Sequence, residues 1–181
     1  MRKINEIFYS LQGEGYYTGT PAVFIRFSGC NLKCGFCDTV HEMGTLMTDD
    51  EIINEIIGYP STMIVLTGGE PSLWVDEEFV SKLKNVGRFV CIETNGTCEL
   101  PTNIDWVTCS PKEGTVIKVK KIDEIKVVYT GQSLDVYSSI AAKFHFLQPC
   151  SCKNTTEVIE YILEHPKWRL SLQTHKLIDI R

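Results

Sequence analysis

Basic residues are in deficit: 18 Lys and Arg face 23 Asp and Glu, a formal net charge of −5 at pH 7. A surface that coats nucleic acid needs clustered Lys and Arg to neutralise phosphates, so bulk nucleic-acid binding is not expected. A small nucleotide-like ligand stays compatible with this charge. Lys118, Lys120 and Lys121 form the only local basic run, which reads as a solvated strand edge. Long apolar runs are also missing. No stretch approaches the roughly 20 apolar residues of a membrane span, and Arg2-Lys3 is not followed by a signal-peptide core. The expectation is a cytoplasmic protein with no membrane partner. In that reducing compartment the eight cysteines do not form a disulfide framework. Low-complexity tracts, repeats and linkers are absent too, so residues 1–181 read as one domain, long enough for a hydrophobic core.

Short runs rich in Val, Ile and Phe are present, each ending in small or polar residues. They are Ala22 to Phe27, Met63 to Leu66, Phe89 to Ile92, Trp106 to Thr108, Ile125 to Tyr129 and Phe144 to Leu147. Runs this short, bounded by turn residues, fit buried strands. Helical patterns lie between some of them. Thr48-Asp49-Asp50-Glu51 is a capping box leading into Ile52, Ile53, Ile56 and Ile57. Asp76 caps a helix through Asn85, with Gly87 as its stop, and Asn154 to Glu164 forms a third, ended by Pro166. The connection from Gly96 to Ile104 is too short for a helix. The pattern predicts an α/β fold: an incomplete, partial TIM-like parallel barrel of about six strands with a reduced set of helices. Chemistry then belongs at the C-terminal strand ends, where the polar motifs cluster.

Three cysteines fall within one such segment, Cys30-Asn31-Leu32-Lys33-Cys34-Gly35-Phe36-Cys37, while Cys91, Cys98, Cys109, Cys150 and Cys152 are scattered. Iron–sulfur cubanes are usually held by four thiolates. Three local thiolates leave one iron open, as a catalytic zinc keeps one open position, and an amino-carboxylate ligand can chelate there. Two other readings stand beside this one: structural zinc with a distant fourth ligand such as His41, or simple buried thiols. Zinc knuckles show paired C-x2-C units, and no second pair occurs here. Cys91 and Cys109 lie in strand patterns and read as core thiols.

The C-x3-C-x2-C loop after the first strand, with Phe36 before the third cysteine, resembles the radical S-adenosylmethionine (SAM) superfamily. Thr67-Gly68-Gly69-Glu70-Pro71 resembles its glycine-rich turn for the methionine amino group; small residues let backbone approach a ligand, and a carboxylate suits an ammonium. Gln12-Gly13-Glu14-Gly15, Arg26, Asp38-Thr39, Ser110-Pro111-Lys112, Gln148-Pro149 and Gln173-Thr174-His175-Lys176 together resemble the 7-carboxy-7-deazaguanine synthases, over nearly the whole chain. That resemblance implies a lyase that converts 6-carboxy-5,6,7,8-tetrahydropterin to 7-carboxy-7-deazaguanine with loss of ammonia. It implies a [4Fe–4S] cluster on Cys30, Cys34 and Cys37, SAM, and Mg2+ on Thr39. It places the pterin against Leu11, Gln12, Gly13, Glu14, Arg26 and Thr67. It places SAM against Phe36, Cys37, Asp38, Gly69, Glu70, Ser110, Pro111, Lys112 and Gln148. Glu93, Asn95 and His175 are balanced between site and packing roles. A homodimer and a flavodoxin or ferredoxin electron donor are further expectations of the resemblance. A glycyl-radical activase and a non-enzymatic iron–sulfur module are the competing readings.

Overall fold

All the strand-forming runs join one sheet. Its members are β1 (Arg2–Leu11), β2 (Pro21–Phe27), β3 (Thr45–Met47), β4 (Met63–Gly68), β5 (Phe89–Thr94), β6 (Trp106–Cys109), β7 (Glu124–Tyr129), β8 (Phe144–Pro149) and β9 (Trp168–Leu170). The computed structural model describes residues 1–37 and 39–181. The strand order is β3-β1-β2-β4-β5-β6-β7-β8-β9. From β2 to β9 each neighbour is parallel, whereas β1 runs antiparallel to both β2 and β3. The order begins at β3 and ends at β9, so the barrel stays open. The six expected strands are all present, and among the described residues β1, β3 and β9 join them in one sheet of nine.

Helices cover one face. α1 (Asp49–Ile56) starts with the expected capping box: the Glu51 backbone N–H donates to Thr48 Oγ1, and Thr48 N–H donates back to the Glu51 carboxylate. α2 (Glu77–Asn85) is capped by Asp76, whose carboxylate accepts from Phe79 N at 2.9 Å. α3 (Asp135–Ser138) and α4 (Thr155–Glu164) follow on this face, whereas α5 (Thr174–Leu177) puts His175 and Lys176 against the cavity. Buried Arg2 braces α1 and α2 together by pairing with Asp49 at 2.8 Å and Asp76 at 3.1 Å. The Lys118–Lys121 stretch is irregular chain rather than a strand edge, and Lys120 pairs with Glu99 at 2.9 Å on the surface.

Side chains of a strand alternate between faces, and that period sorts this sheet. Val23, Ile25, Phe27, Ile64, Leu66, Val90, Ile92 and Val107 face the helices with Ile52, Ile56, Phe79, Val80 and Leu83. Ile125, Val127 and Leu147 do the same against Val158 of α4. The intervening residues line the concave side. Phe8, Ala22, Phe24, Met63, Val65, Cys91 and Trp106 fill its lower part with Tyr17 and Phe144. One step further along the strands the same face turns polar, with Arg26, Thr67, Glu93, Lys126 and Gln148. An apolar plug below and a polar ring above leave a cavity at the C-terminal strand ends.

Candidate active site

The cavity has a volume of about 550 Å³, within the usual size range of small-molecule sites. Its wall includes Cys30, Cys34, Phe36, Cys37, Thr39, Gly69, Ser110, Lys112 and Gln148, together with Leu11, Gln12, Gly13, Glu14, Arg26 and Thr67. Of the site residues expected from sequence, Asp38 lies outside the described residues. Glu70 and Pro111 are buried but do not reach the cavity.

The cysteine loop leaves β2 beside the start of the β4 turn. Cys30 and Cys34 are half-buried and Cys37 is exposed, all three as free thiols. The Leu32 N–H points at Cys30 Sγ at 3.4 Å, and Cys37 N–H donates to the Cys34 carbonyl at 3.1 Å. Burial pushes the Cys30 thiol up; the Leu32 N–H opposes this, while Glu70, Cys34 and Cys37 add to the rise. Three thiolates here repel one another and call for a cationic group among them. Among the described residues no three His, Cys, Asp or Glu converge on a single metal ion. A cubane does not require that, because each iron takes its own thiolate. Three thiolates on one loop are a donor set that fits a [4Fe–4S] cluster with one iron left open.

The glycine turn after β4 meets the same loop. Gly69 N–H donates to the Phe27 carbonyl at 3.1 Å and Glu70 N–H to the Gly29 carbonyl at 2.9 Å. A Cβ on Gly69 would stand 2.0 Å from the Gly29 oxygen, so only glycine fits this approach. Glu70, expected from sequence to meet the cofactor, instead turns into the protein and is fully buried. Its carboxylate accepts from Thr94 Oγ1 at 2.6 Å, Asn95 N at 2.7 Å and Ser72 N at 3.0 Å. Asn95 in turn donates to Asn31 at 3.0 Å, and Asn31 to Thr97 at 2.8 Å. Glu70 thus ties the β4 and β5 ends to the residue beside Cys30.

Ser110 and Lys112 follow β6. The Lys112 ammonium donates to Ser110 Oγ at 2.7 Å and sits 5.7 Å from the Phe36 ring centre. Burial, then the charge of Lys126, lowers its pKa. Gln148 on β8 is held by a bond from Ser171 Oγ at 2.9 Å. A backbone turn with no side chain in the way, hydroxyl and amide groups and an aromatic ring suit an adenosyl amino acid. The residues present fit SAM.

The floor is built by charges. Lys126 is 4% exposed and pairs with Glu14 and, at 3.5 Å, with Glu93. Gln12 Nε2 donates to Glu93 at 2.9 Å and Gln173 Nε2 to Glu14 at 3.0 Å. Burial works to raise the Glu14 carboxyl, but the Lys126 ammonium, Gln173 and the charge of His175 outweigh it and hold it low. Burial likewise disfavours the Lys126 charge, yet Glu14, Glu93 and Glu124 drive its pKa above the ordinary lysine value. The chain's final segment closes this wall: Thr174 N–H and Oγ1 both donate to the Gly13 carbonyl at 2.9 Å. A Cβ on Gly13 would lie 2.2 Å from His175 Nδ1, so the glycine makes room for that ring. Arg26 pairs with Glu6 at 2.8 Å and lies over Phe8; Arg181 pairs with the same Glu6 and lies over the same ring. Lys126 and Arg181 were not legible as site residues, and Glu93 and His175 were evenly balanced; all four line the cavity.

An open, mostly parallel barrel with three cysteines and a glycine-rich turn at its strand ends defines a radical SAM enzyme. The profile of the Radical SAM superfamily matches residues 24–141. The chain is 66% identical to the 7-carboxy-7-deazaguanine synthase of Bacteroides thetaiotaomicron, over 181 residues and the full length of both. It is 38% identical to the enzyme of that name from Bradyrhizobium diazoefficiens, with 98% of each chain covered. The crystal structure of QueE from Escherichia coli superposes with a TM-score of 0.79 at 31% identity, covering 94% of this chain and 93% of that one. The chain belongs to the 7-carboxy-7-deazaguanine synthase family of radical SAM enzymes. That membership brings a [4Fe–4S] cluster, SAM, a small-molecule substrate and the need for a reductant. Among the described residues, no helix is long and apolar enough to cross a membrane.

Proposed function

We propose that residues 1–181 act as a single radical SAM domain that converts 6-carboxy-5,6,7,8-tetrahydropterin to 7-carboxy-7-deazaguanine with loss of ammonia. The observation that carries this reading is the polarity of the cavity. Arg26, a fork of donors suited to a carboxylate, shares the cavity with the carboxylates of Glu14 and Glu93, acceptors suited to the amino edge of a pterin. The cysteine loop lines the same cavity.

In this reading Cys30, Cys34 and Cys37 hold the cluster. Gly69, Ser110, Lys112, Gln148, Phe36 and Cys37 hold SAM, with Asp38 and Pro111 beside them in the sequence, and Glu70 acts from behind through the turn. Cluster and SAM together supply one-electron cleavage of a carbon–sulfur bond and hence hydrogen abstraction from the substrate. The chain's own work is orientation and exclusion of water. Arg26 fixes the substrate carboxylate, Leu11 to Glu14 hold the ring, and Thr67, the neighbour of Arg26 across β2 and β4, stands beside both. Thr39 offers one hydroxyl to Mg2+, an ion that keeps water and borrows substrate oxygens. A homodimer, supported by the exposed sheet ends β3 and β9, a flavodoxin or ferredoxin donor and a cytoplasmic setting complete the proposal.

The test is anaerobic turnover of the iron–sulfur-reconstituted protein with the carboxytetrahydropterin, SAM, reductant and Mg2+, read by mass spectrometry. Formation of 7-carboxy-7-deazaguanine is expected. Deoxyadenosine without that product would leave a radical enzyme acting on another substrate. Omitting Mg2+ tests Thr39: slower turnover in the wild type, and little further metal effect in Thr39→Ala.

A further inference from the structure

β7 carries an apolar row toward the helices, Ile125 and Val127, but Glu124 and Lys126 on the other face. A buried ammonium costs several kcal/mol of desolvation unless it is fully paired, so its presence in a core strand needs a reason. The catalytic roles proposed above use none of its chemistry. Lys126 stands where two carboxylates from separate elements meet: Glu14 from the loop after β1, and Glu93 from β5. Without a cation between them two half-buried carboxylates repel, and one takes up a proton or turns away. The outer oxygens are fixed as well, Glu93 by Gln12 and Glu14 by Gln173. Both carboxylates are therefore locked in rotation, and both line the cavity.

We propose that Lys126 is a positioning residue that sets the ring specificity of this cavity, by clamping Glu14 and Glu93 side by side as an acceptor pair for a 2-amino-4-oxopyrimidine edge. The inference rests on the pterin reading above and adds the group that makes it selective. An ionised carboxylate accepts and never donates. Each oxygen has room for a second hydrogen bond, and two adjacent carboxylates match a ring N–H with its neighbouring exocyclic NH2. A ring with a 2-oxo group in place of the 2-amino group sets a carbonyl against those oxygens. Neutralising either carboxylate would supply a donor and erase the distinction. Lys126 holds both in place without itself contacting the substrate edge.

The test compares binding of 6-carboxypterin with its 2-oxo counterpart, 6-carboxylumazine, to the cluster-loaded protein under anaerobic conditions by titration calorimetry. The wild type should prefer the pterin by about tenfold or more, because the 2-oxo ring leaves a charged acceptor without a donor. In Lys126→Met that ratio should collapse toward unity, and Lys126→Arg should restore most of it. A merely structural role would weaken both ligands alike and leave the ratio unchanged. Glu93→Gln retains the size of the network and should also lower the ratio, which decides the matter if Lys126→Met does not fold. An unchanged ratio in Lys126→Met, or in Glu93→Gln, overturns the proposal. If the wild type makes 7-carboxy-7-deazaguanine while the ratio is insensitive to Lys126, the lysine inference alone falls. If the wild type neither binds the pterin nor makes that product, the substrate reading falls with it.

Discussion

In the cavity floor both Glu14 oxygens have partners, in Lys126 and Gln173, and Gln12 and Lys126 hold Glu93 between them. The loop carrying Cys30, Cys34 and Cys37 is held far more sparsely. Its sulfurs meet a Leu32 N–H and the Thr39 carbonyl, and Phe36, Val40 and Met43 are exposed beside them. The floor is anchored in strands whose reverse faces are packed by helices, whereas the loop is anchored at its base through Gly29 and Asn31. The difference teaches where order comes from. Ion pairs and packed strands preform the floor; the loop has few buried contacts of its own, the condition for low local stability, and gains its order from the group it binds.

The largest effect should come from removing that group's ligands. Cys34→Ala should abolish the visible iron–sulfur absorbance and reduce SAM cleavage to the uncatalysed level, while the unfolding free energy shifts by about 0.5 kcal/mol or less. Denaturant titration of both proteins checks this. The opposite response should follow in the floor. Lys126→Met leaves two half-buried carboxylates without their cation and should cost about 3 kcal/mol of stability, with the cluster absorbance of the folded fraction unchanged. Glu70→Gln lies between the two regions, because its amide cannot accept from Thr94, Asn95 and Ser72 together. It should cost about 1–3 kcal/mol and raise the KM for SAM more than it lowers kcat.

The smallest effect is on pH. Glu14 is held below its ordinary value of 4.5, so its contribution is complete above that pH and is lost as the pH falls through the folded value. Lys126 is raised above its ordinary 10.5, so its contribution is complete below that pH and is lost as the pH rises through the folded value. Stability from the floor should therefore form a plateau between these limits. Lys126→Met removes the cation that outweighs burial at Glu14, so the loss on the acid side should weaken or reverse, which thermal unfolding across pH would reveal.

The sheet was legible where strands are short, apolar and bounded by turns, as in Met63 to Leu66 before Thr67-Gly68-Gly69. β1 escaped because its register shifts between Ile4 and Glu6, which breaks the period of two that marks a strand. β3 and β9, with three residues each, are too short to show any period. The cysteines and Gly69 were readable because ligation and close approach depend on residue type and spacing. Glu70 was not, because sequence gives a side chain's chemistry and not its direction. Lys126 was hidden inside an apolar run, yet Glu124 and Lys126, two charges on one face of a core strand, were the signal that could have exposed it.

Hydrogen exchange of the protein with and without its reconstituted cluster, followed by mass spectrometry, tests the contrast between floor and loop most directly. Protection at the amides of Cys30, Cys34 and Cys37 should rise on loading, while that of Glu14, Glu93 and Lys126 stays as it was. Equal gains in both regions, or a loop already protected without the cluster, would contradict the account.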